Sequence, residues 1–254
     1  MKKKILKKCL ILGLAILAIQ FRGPAQEVEE AAEHNDRGIQ QWREKNYQAA
    51  LKCFNRAIEI DPNYSVAHYN RATTYYYLKE FEKSLESLQT ALSLRPKYPA
   101  AYNLLGRIFT ETSKYEKARE ALKKGIELDP DNAVIYYNLG YLYIRWEKYR
   151  EAIEPLERAK LLRTGDSDTI IILGYAYMQR KNYPKAITLL ERAIGLNPDD
   201  AQAHCLLGNL YVLVKDKPSA LMQYEKVKRL NLQMAQKLYQ IIYSDKLIIL
   251  EYKK

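Results

Sequence analysis

The chain has 254 residues, of which 48% are hydrophobic and 28% are charged, a composition that excludes a disordered protein. Its net charge of +11 overstates its basic character, because six of the 41 basic residues lie in the first 25 positions and the other 35 accompany 30 acidic ones. These charges are interspersed along the chain. The composition therefore argues against a nucleic-acid partner, which needs Lys and Arg clustered on one face.

The N-terminal segment, residues 1–25, has the pattern of a secretory signal peptide. Five lysines precede an apolar run from Cys9 to Ile19, and the segment ends with the small residues of a cleavage site, the last of which is Ala25. The apolar run is shorter than the ~18–20 residues that span a bilayer. We expect cleavage after Ala25 and export to the periplasm. The alternative is an uncleaved inner-membrane anchor with the rest of the chain facing the periplasm. Cys9 stands at the start of the apolar run and not after it, so we expect no lipid attachment there.

A repeat dominates the sequence from residue 31 onward. A small residue recurs every thirty-four positions, at Gly38, Ala72, Gly106, Gly140, Gly174 and Gly208. A fixed period of this length is typical of stacked helix–turn–helix units. Because glycine inside a helix costs ~1 kcal/mol relative to alanine, its recurrence predicts that the paired helices approach too closely for a side chain. An aromatic residue opens the second helix of five units, and a proline closes four of them, at Pro62, Pro96, Pro130 and Pro198.

The residues that recur at these positions resemble those of the tetratricopeptide repeat family. Residues 126–130 (IELDP), 138–143 (NLGYLY) and 149–152 (YREA) are similar to its consensus. The resemblance implies an all-α solenoid, a right-handed superhelix of antiparallel helix pairs whose first helices line a concave groove. It predicts six consecutive units at residues 31–64, 65–98, 99–132, 133–166, 167–200 and 201–234. The apolar face of residues 235–254 predicts a capping helix over the open end of the stack.

The sequence carries no motif for catalysis or for binding a metal or cofactor. The predicted signal, six units and cap leave no length for a catalytic domain, so we expect a protein that is not an enzyme. The three histidines, His34, His68 and His204, share one repeat site where other units carry Tyr or Ile, so we interpret them as packing residues. Cys53 and Cys205 lie in the first and sixth units, too far apart in a solenoid for a disulfide.

The resemblance also implies a binding surface, formed by first-helix residues that point away from the partner helix. A wall rich in Tyr, with Asn and Arg, suits an extended peptide or a helix, because aromatic residues and Arg dominate binding hot spots. Chaperone-binding members of the family use a Lys/Asn/Arg clamp whose lysines have no match here, which disfavours a heat-shock-protein tail as ligand. The predicted groove residues are Tyr69, Thr73, Tyr76, Tyr77, Asn103, Arg107, Tyr137, Asn138, Tyr141, Arg145, Tyr175, Met178, Gln179 and Asn209.

The sequence thus predicts a non-enzymatic scaffold that binds a protein or peptide in its groove, as part of bacterial cell-envelope assembly. One alternative is a pilus or secretion-system biogenesis factor, since the outer-membrane lipoproteins of type IV pili are similar in size and repeat number. This chain lacks their lipid-modified cysteine. A second alternative is a structural protein that assembles with copies of itself through the apolar C-terminal residues 247–250. We expect membrane contact only through an uncleaved N-terminal segment.

Overall fold

The computed structural model of the chain describes residues 24–243, and these form thirteen α-helices and no strand. A first and a second helix alternate, as an all-α helix–turn–helix array requires, and the predicted fold class is confirmed. The helices are α1 (Pro24–Arg43), α2 (Tyr47–Ile60), α3 (Ser65–Tyr77), α4 (Phe81–Leu94), α5 (Pro99–Glu111), α6 (Tyr115–Leu128), α7 (Ala133–Arg145), α8 (Tyr149–Leu162), α9 (Ser167–Gln179), α10 (Tyr183–Leu196), α11 (Ala201–Leu213), α12 (Lys217–Leu230) and α13 (Leu232–Tyr243).

The helices belong to two compact bodies. The first body ends at Ala101 and contains α1 to α4, and the second begins at Tyr102, inside α5, and contains the remaining helices. Each body has buried apolar side chains between its paired helices. Phe54 and Leu88 are 1% and 0% exposed in the first body, and Leu122 and Leu156 are fully buried in the second.

The recurring glycines mark close contacts between the two helices of a unit. A methyl group at Gly38 would lie 2.4 Å from the ring of Phe54, and one at Gly140 would lie 2.4 Å from Leu156 Cγ. At Gly174 the corresponding distance to Leu190 Cγ is 3.1 Å. A neighbouring side chain therefore fills the space that a larger residue would need, as the glycine column predicts.

A residue with left-handed backbone stands two positions after the last residue of each first helix. In the second body, Lys148 N donates to Tyr143 O at 2.8 Å and Glu147 N donates to Ile144 O at 3.0 Å. This pair of hydrogen bonds is the Schellman arrangement, whose left-handed position usually holds glycine. Here none of the six residues is glycine, and their φ angles lie between 57° and 65°: Lys45, Lys79, Ser113, Glu147, Lys181 and Lys215.

The ends of the helical region differ slightly from the predicted boundaries. Helix α1 begins at Pro24, so the last two residues of the predicted signal segment lie in a helix. Helix α13 begins at Leu232, three residues before the predicted cap, because Asn231 Oδ1 accepts a hydrogen bond from Met234 N at 3.0 Å and starts the helix there. Residues 1–23 of the predicted signal and 244–254 of the predicted cap lie outside the described residues.

The cap itself covers the sixth unit with an apolar face. Ala235, Leu238, Ile241 and Ile242 of α13 are all buried. Leu238 Cδ2 lies 2.8 Å from where a methyl group on Gly208 would stand. The small-residue site of the last unit is therefore approached most closely from α13, whereas in the fourth unit Leu156 of the unit's own second helix fills it.

The buried histidines are part of the packing. His68 and His204 are each 5% exposed, and the Nε2 atom of each donates to the carbonyl of a proline six residues earlier, at 2.9 Å from Pro62 O and Pro198 O. A carbonyl can only accept, so the contact fixes the proton on Nε2. Burial lowers the pKa of His68, which keeps the ring neutral at pH 7.

Candidate binding surface

The second body brings a charged and aromatic group together on its first helices. Arg145, in the last turn of α7, donates from Nη1 to Tyr141 Oη at 3.2 Å, and the same nitrogen lies 3.8 Å from Glu111 Oε2 at the end of α5. The hydrogen bond with Tyr141 raises the pKa of Arg145 above its usual value. The Arg145 and Glu111 side chains are 34% and 35% exposed, so the group is accessible but held in place.

Asparagine side chains pair between consecutive first helices in both bodies. In the second body Asn138 Nδ2 donates to Asn103 Oδ1 at 2.7 Å, and in the first body Asn70 Nδ2 donates to Asn35 Oδ1 at 2.8 Å. An amide has two donors and an oxygen with two lone pairs. Each pair therefore keeps capacity for a further hydrogen bond, such as one to the backbone of a bound segment.

The first body carries a cluster of aromatic rings. Tyr77, which is 43% exposed, contacts Trp42 edge-to-face at 5.1 Å between ring centroids and stacks on Tyr47 at 6.1 Å. The centroid of the Tyr76 ring lies 5.7 Å from that of Tyr77 and 5.9 Å from that of Phe81. These mutual contacts hold the rings in fixed orientations, which lowers the entropy lost when a ligand packs against them.

Three of the predicted groove residues are buried in the second body. Tyr175 and Met178 are 5% and 3% exposed and belong to a hydrophobic cluster built from α7 to α11. Asn209 is 1% exposed, and neither polar atom of its side chain has a hydrogen-bond partner within residues 24–243. A ligand could reach these three side chains only after the surrounding residues move.

Apart from the exposed Tyr77, the other predicted residues are half-buried. Thr73 Oγ1 donates to Tyr69 O at 3.0 Å, one turn earlier in α3. Tyr137 and Tyr141 pack against the hydrophobic cluster of the second body. Arg107 and Gln179 complete the half-buried set.

One cavity involves residues outside the predicted set. It has a volume of about 260 Å³ in the first body, and its lining is Ile39, Trp42, Arg43, Phe54, Tyr69, Asn70 and Thr73. The predicted groove set begins in the second unit and omits Trp42, although Trp42 stands thirty-four residues before Tyr76 in the same column. Applying the same repeat positions to the first unit identifies Trp42 as a groove residue.

Among residues 24–243, no three His, Cys, Asp or Glu side chains converge as a metal site. Cys53 and Cys205 are free thiols, and burial raises the pKa of Cys205 to about 12. Within the same described range, no helix has both the length and the apolar character needed to cross a membrane.

Family models described as tetratricopeptide repeat match residues 31–64, 65–98 and 133–164, and one described as TPR repeat matches residues 106–145 and 174–214. The chain is a tetratricopeptide repeat protein. Repeats of this family present extended concave surfaces to their partners, and the fold is that of a protein–protein interaction scaffold.

Solved structures of tetratricopeptide repeat proteins share this fold over most of the chain. PilW, a widely conserved type IV pilus biogenesis factor, is 18% identical with a TM-score of 0.76, and the match covers 84% of this chain and 98% of PilW. PilF of Pseudomonas aeruginosa is 21% identical with a TM-score of 0.74 over 84% of this chain and 98% of its own. A chain of the APC/C hetero-tetramer Cut9–Hcn1 is 21% identical with a TM-score of 0.74. The match covers 85% of this chain and 43% of that chain.

Curated relatives match a shorter stretch. Small glutamine-rich tetratricopeptide repeat-containing protein beta, from Rattus norvegicus, Mus musculus and Homo sapiens, is 43% identical over 47 residues. Those residues are 18% of this chain and 16% of the relative, so the chain spans about a sixth of the length of these proteins.

Proposed function

We propose that this tetratricopeptide repeat protein is a non-enzymatic scaffold that binds a protein or peptide partner on its first helices, in bacterial cell-envelope assembly. The observation that carries the proposal is the group of Tyr141, Arg145 and Glu111. A guanidinium held by a tyrosine hydroxyl and a nearby carboxylate is preorganised, and Tyr and Arg are the residues enriched in hot spots. The neighbouring Asn103–Asn138 pair adds hydrogen-bonding capacity for a partner backbone.

The proposal includes export to the periplasm. It is supported by the lysine-rich and apolar N-terminal pattern, with an uncleaved inner-membrane anchor as its alternative. Cell fractionation and N-terminal sequencing of the isolated protein test it. A mature N-terminus at Gln26 in the periplasmic fraction is the expected result, and an intact N-terminus in the cytoplasmic fraction would contradict it.

The binding surface is tested by capture from cells. The chain is crosslinked in intact cells and purified, beside a variant with Tyr137, Tyr141 and Arg145 all changed to Ala. A control variant changes Arg150, Glu154 and Leu161, three exposed residues of α8, to Ala. We expect wild type and control to capture the same protein and the first variant to lose it, with unchanged helicity by circular dichroism.

The other outcomes of that experiment are equally definite. The same protein captured by all three versions would place binding on another face and contradict the proposal. Capture of further copies of this chain alone would favour the self-assembling protein. That alternative relies on residues 247–250, which lie outside the described residues.

A role in pilus biogenesis is the second candidate. It is supported by the match to almost the full length of PilW and PilF, although at 18% and 21% identity these structures share only the fold. Deleting the gene and counting surface pili tests this role. Pili that are lost, restored by the wild-type chain, and not restored by the Tyr137, Tyr141 and Arg145 variant would support it. Unchanged piliation would exclude it.

A further inference from the structure

The 260 Å³ cavity of the first body has the size of a site for one side chain. It opens between the last turns of α1 and the middle of α3, with Phe54 of α2 beneath them. Small-molecule and cofactor sites are usually larger, at about 300–1,000 Å³. The cavity is therefore suited to a single large side chain of a longer ligand.

The walls of the cavity are apolar and held in place. Ile39, Phe54 and the rings of Trp42 and Tyr69 supply the apolar surface. The edge-to-face contact of Trp42 with Tyr77, at 5.1 Å, fixes the indole ring. Aromatic rings pack well against another aromatic ring or a large aliphatic group. The cavity is preformed for an apolar side chain.

Two polar groups at the cavity have unused hydrogen-bonding capacity. Trp42 Nε1 is buried and its N–H has no acceptor among the described residues, an arrangement that leaves the donor's desolvation uncompensated. Asn70 uses one N–H on Asn35 and retains another donor and its carbonyl oxygen. A main-chain carbonyl beside the inserted side chain would accept from the second N–H of Asn70, and Trp42 Nε1 would need a small movement of the ring to reach it.

Arg43 is the charged residue in the cavity lining. Arg43, the last residue of α1, is exposed and forms no ion pair with the described residues. The neighbouring carboxylate of Glu44 instead accepts hydrogen bonds from the side chains of Gln40, Gln41 and Asn46. The guanidinium is therefore available to a carboxylate that a ligand brings to the rim.

We propose that the cavity receives one large apolar or aromatic side chain of an extended partner segment, whose adjacent residue is Asp or Glu and pairs with Arg43. This rests on the proposed function, and it specifies the partner as an acidic peptide with an aromatic or large aliphatic anchor. The apolar walls select the anchor, and the rim charge selects the acidic neighbour.

The test selects a random dodecapeptide display library on the full-length chain. Four variants are selected in parallel. Thr73→Trp fills the cavity, and Thr90→Trp is its control, since Thr90 donates to the carbonyl four residues earlier in α4 as Thr73 does in α3. Arg43→Gln removes the rim charge, and Arg150→Gln removes an exposed arginine of α8. Circular dichroism checks that each variant is folded.

We expect wild type and both controls to enrich peptides with a large apolar residue next to Asp or Glu. A synthetic peptide from that set should bind Thr73→Trp roughly tenfold more weakly or worse, as loss of a hot-spot pocket does. Arg43→Gln should bind it about two- to fivefold more weakly, as for an exposed ion pair. On Arg43→Gln, an Asn or Gln in place of the acidic residue should bind equally well.

Three results would overturn the proposal. The first is enrichment of peptides that lack the apolar and acidic pair, and the second is unchanged binding to Thr73→Trp. If such peptides lose binding to the Tyr137, Tyr141 and Arg145 variant, the proposed function stands and the cavity has no part in it. The third is no enrichment on any version, which counts against both the cavity and the proposed peptide binding. Because Arg43 is exposed, its variant gives a result even if Thr73→Trp fails to fold.

Discussion

Units four and five of the second body show how one repeat site can have two environments. Helix α7 keeps Tyr137, Asn138 and Tyr141 half-buried, whereas α9 is buried at every residue from Thr169 to Met178. Tyr141 and Tyr175 occupy the same repeat site and are the same residue type, yet Tyr175 is only 5% exposed. The position in the repeat therefore sets the direction of a side chain, and the neighbouring units set its depth.

The largest expected effect separates these two tyrosines. Tyr175→Ala should destabilise the protein by about 3–5 kcal/mol, as for other large buried rings, because it leaves a cavity in the hydrophobic cluster. Tyr141→Ala should cost less than half as much, since its side chain is only half-buried. Urea unfolding followed by circular dichroism measures both. Equal losses would show that the difference in burial has no energetic consequence.

The second comparison uses the glycines of the same two units. Gly140→Ala should destabilise the protein by about 1–3 kcal/mol, because the new methyl group would lie 2.4 Å from Leu156 Cγ. Gly174→Ala has 3.1 Å to Leu190 Cγ, and the ~1 kcal/mol that alanine gains over glycine in a helix should offset most of the strain. Thermal unfolding should show a lower Tm for Gly140→Ala alone. A similar Tm for the two variants would contradict this.

The smallest effect concerns the ionic contact that links the two units. Burial of Glu157 in α8 favours its neutral form, but hydrogen bonds and charges from Lys160 and Lys185 outweigh this and lower its pKa. Lys185 Nζ, in α10, lies 3.5 Å from Glu157 Oε1. A carboxyl with a lowered folded pKa stabilises the protein above its unfolded pKa of about 4.3, and that stability is lost as the pH falls through the folded pKa.

We expect Glu157→Gln to lower the free energy of unfolding by up to ~1 kcal/mol at pH 7, because the ion pairs are partly exposed. The difference from wild type should disappear on acidification below the folded pKa. Urea unfolding at pH 7, 5 and 3.5 measures this. The control is Glu151→Gln, the matching change at an exposed residue of the same helix. A difference that stays constant from pH 7 to pH 3.5 would indicate a packing effect instead.

The architecture could be predicted from the sequence because its determinants recur. The recurrence of Gly38, Gly106 and Gly140 indicates that the paired helices lie too close for a larger side chain. The structure places a large side chain of the second helix against each of these glycines. The cap boundary was less predictable, since it depends on one side-chain hydrogen bond from Asn231. The start of α1 at Pro24 likewise has no counterpart in the repeat period.

The candidate surface could be predicted only in part. Periodicity indicates which face of a first helix Tyr141 and Tyr175 share, and the Tyr141–Arg145 contact follows from their spacing of one helical turn. Depth depends on residues from other units, which is why the burial of Tyr175, Met178 and Asn209 could not be seen in their own segments. The first-body cavity is lined by residues of three helices, so no single repeat position predicts it.

The left-handed turn residues bear on how small a piece of this protein can exist alone. A lysine, serine or glutamate in that conformation has no local preference for it, whereas glycine would adopt it freely. The turn is therefore imposed by the packing of the two helices that it joins, and within each body the helix pairs pack against one another. An excised unit would have neither the local preference nor the neighbours, so these units are expected to fold cooperatively, as parts of an array.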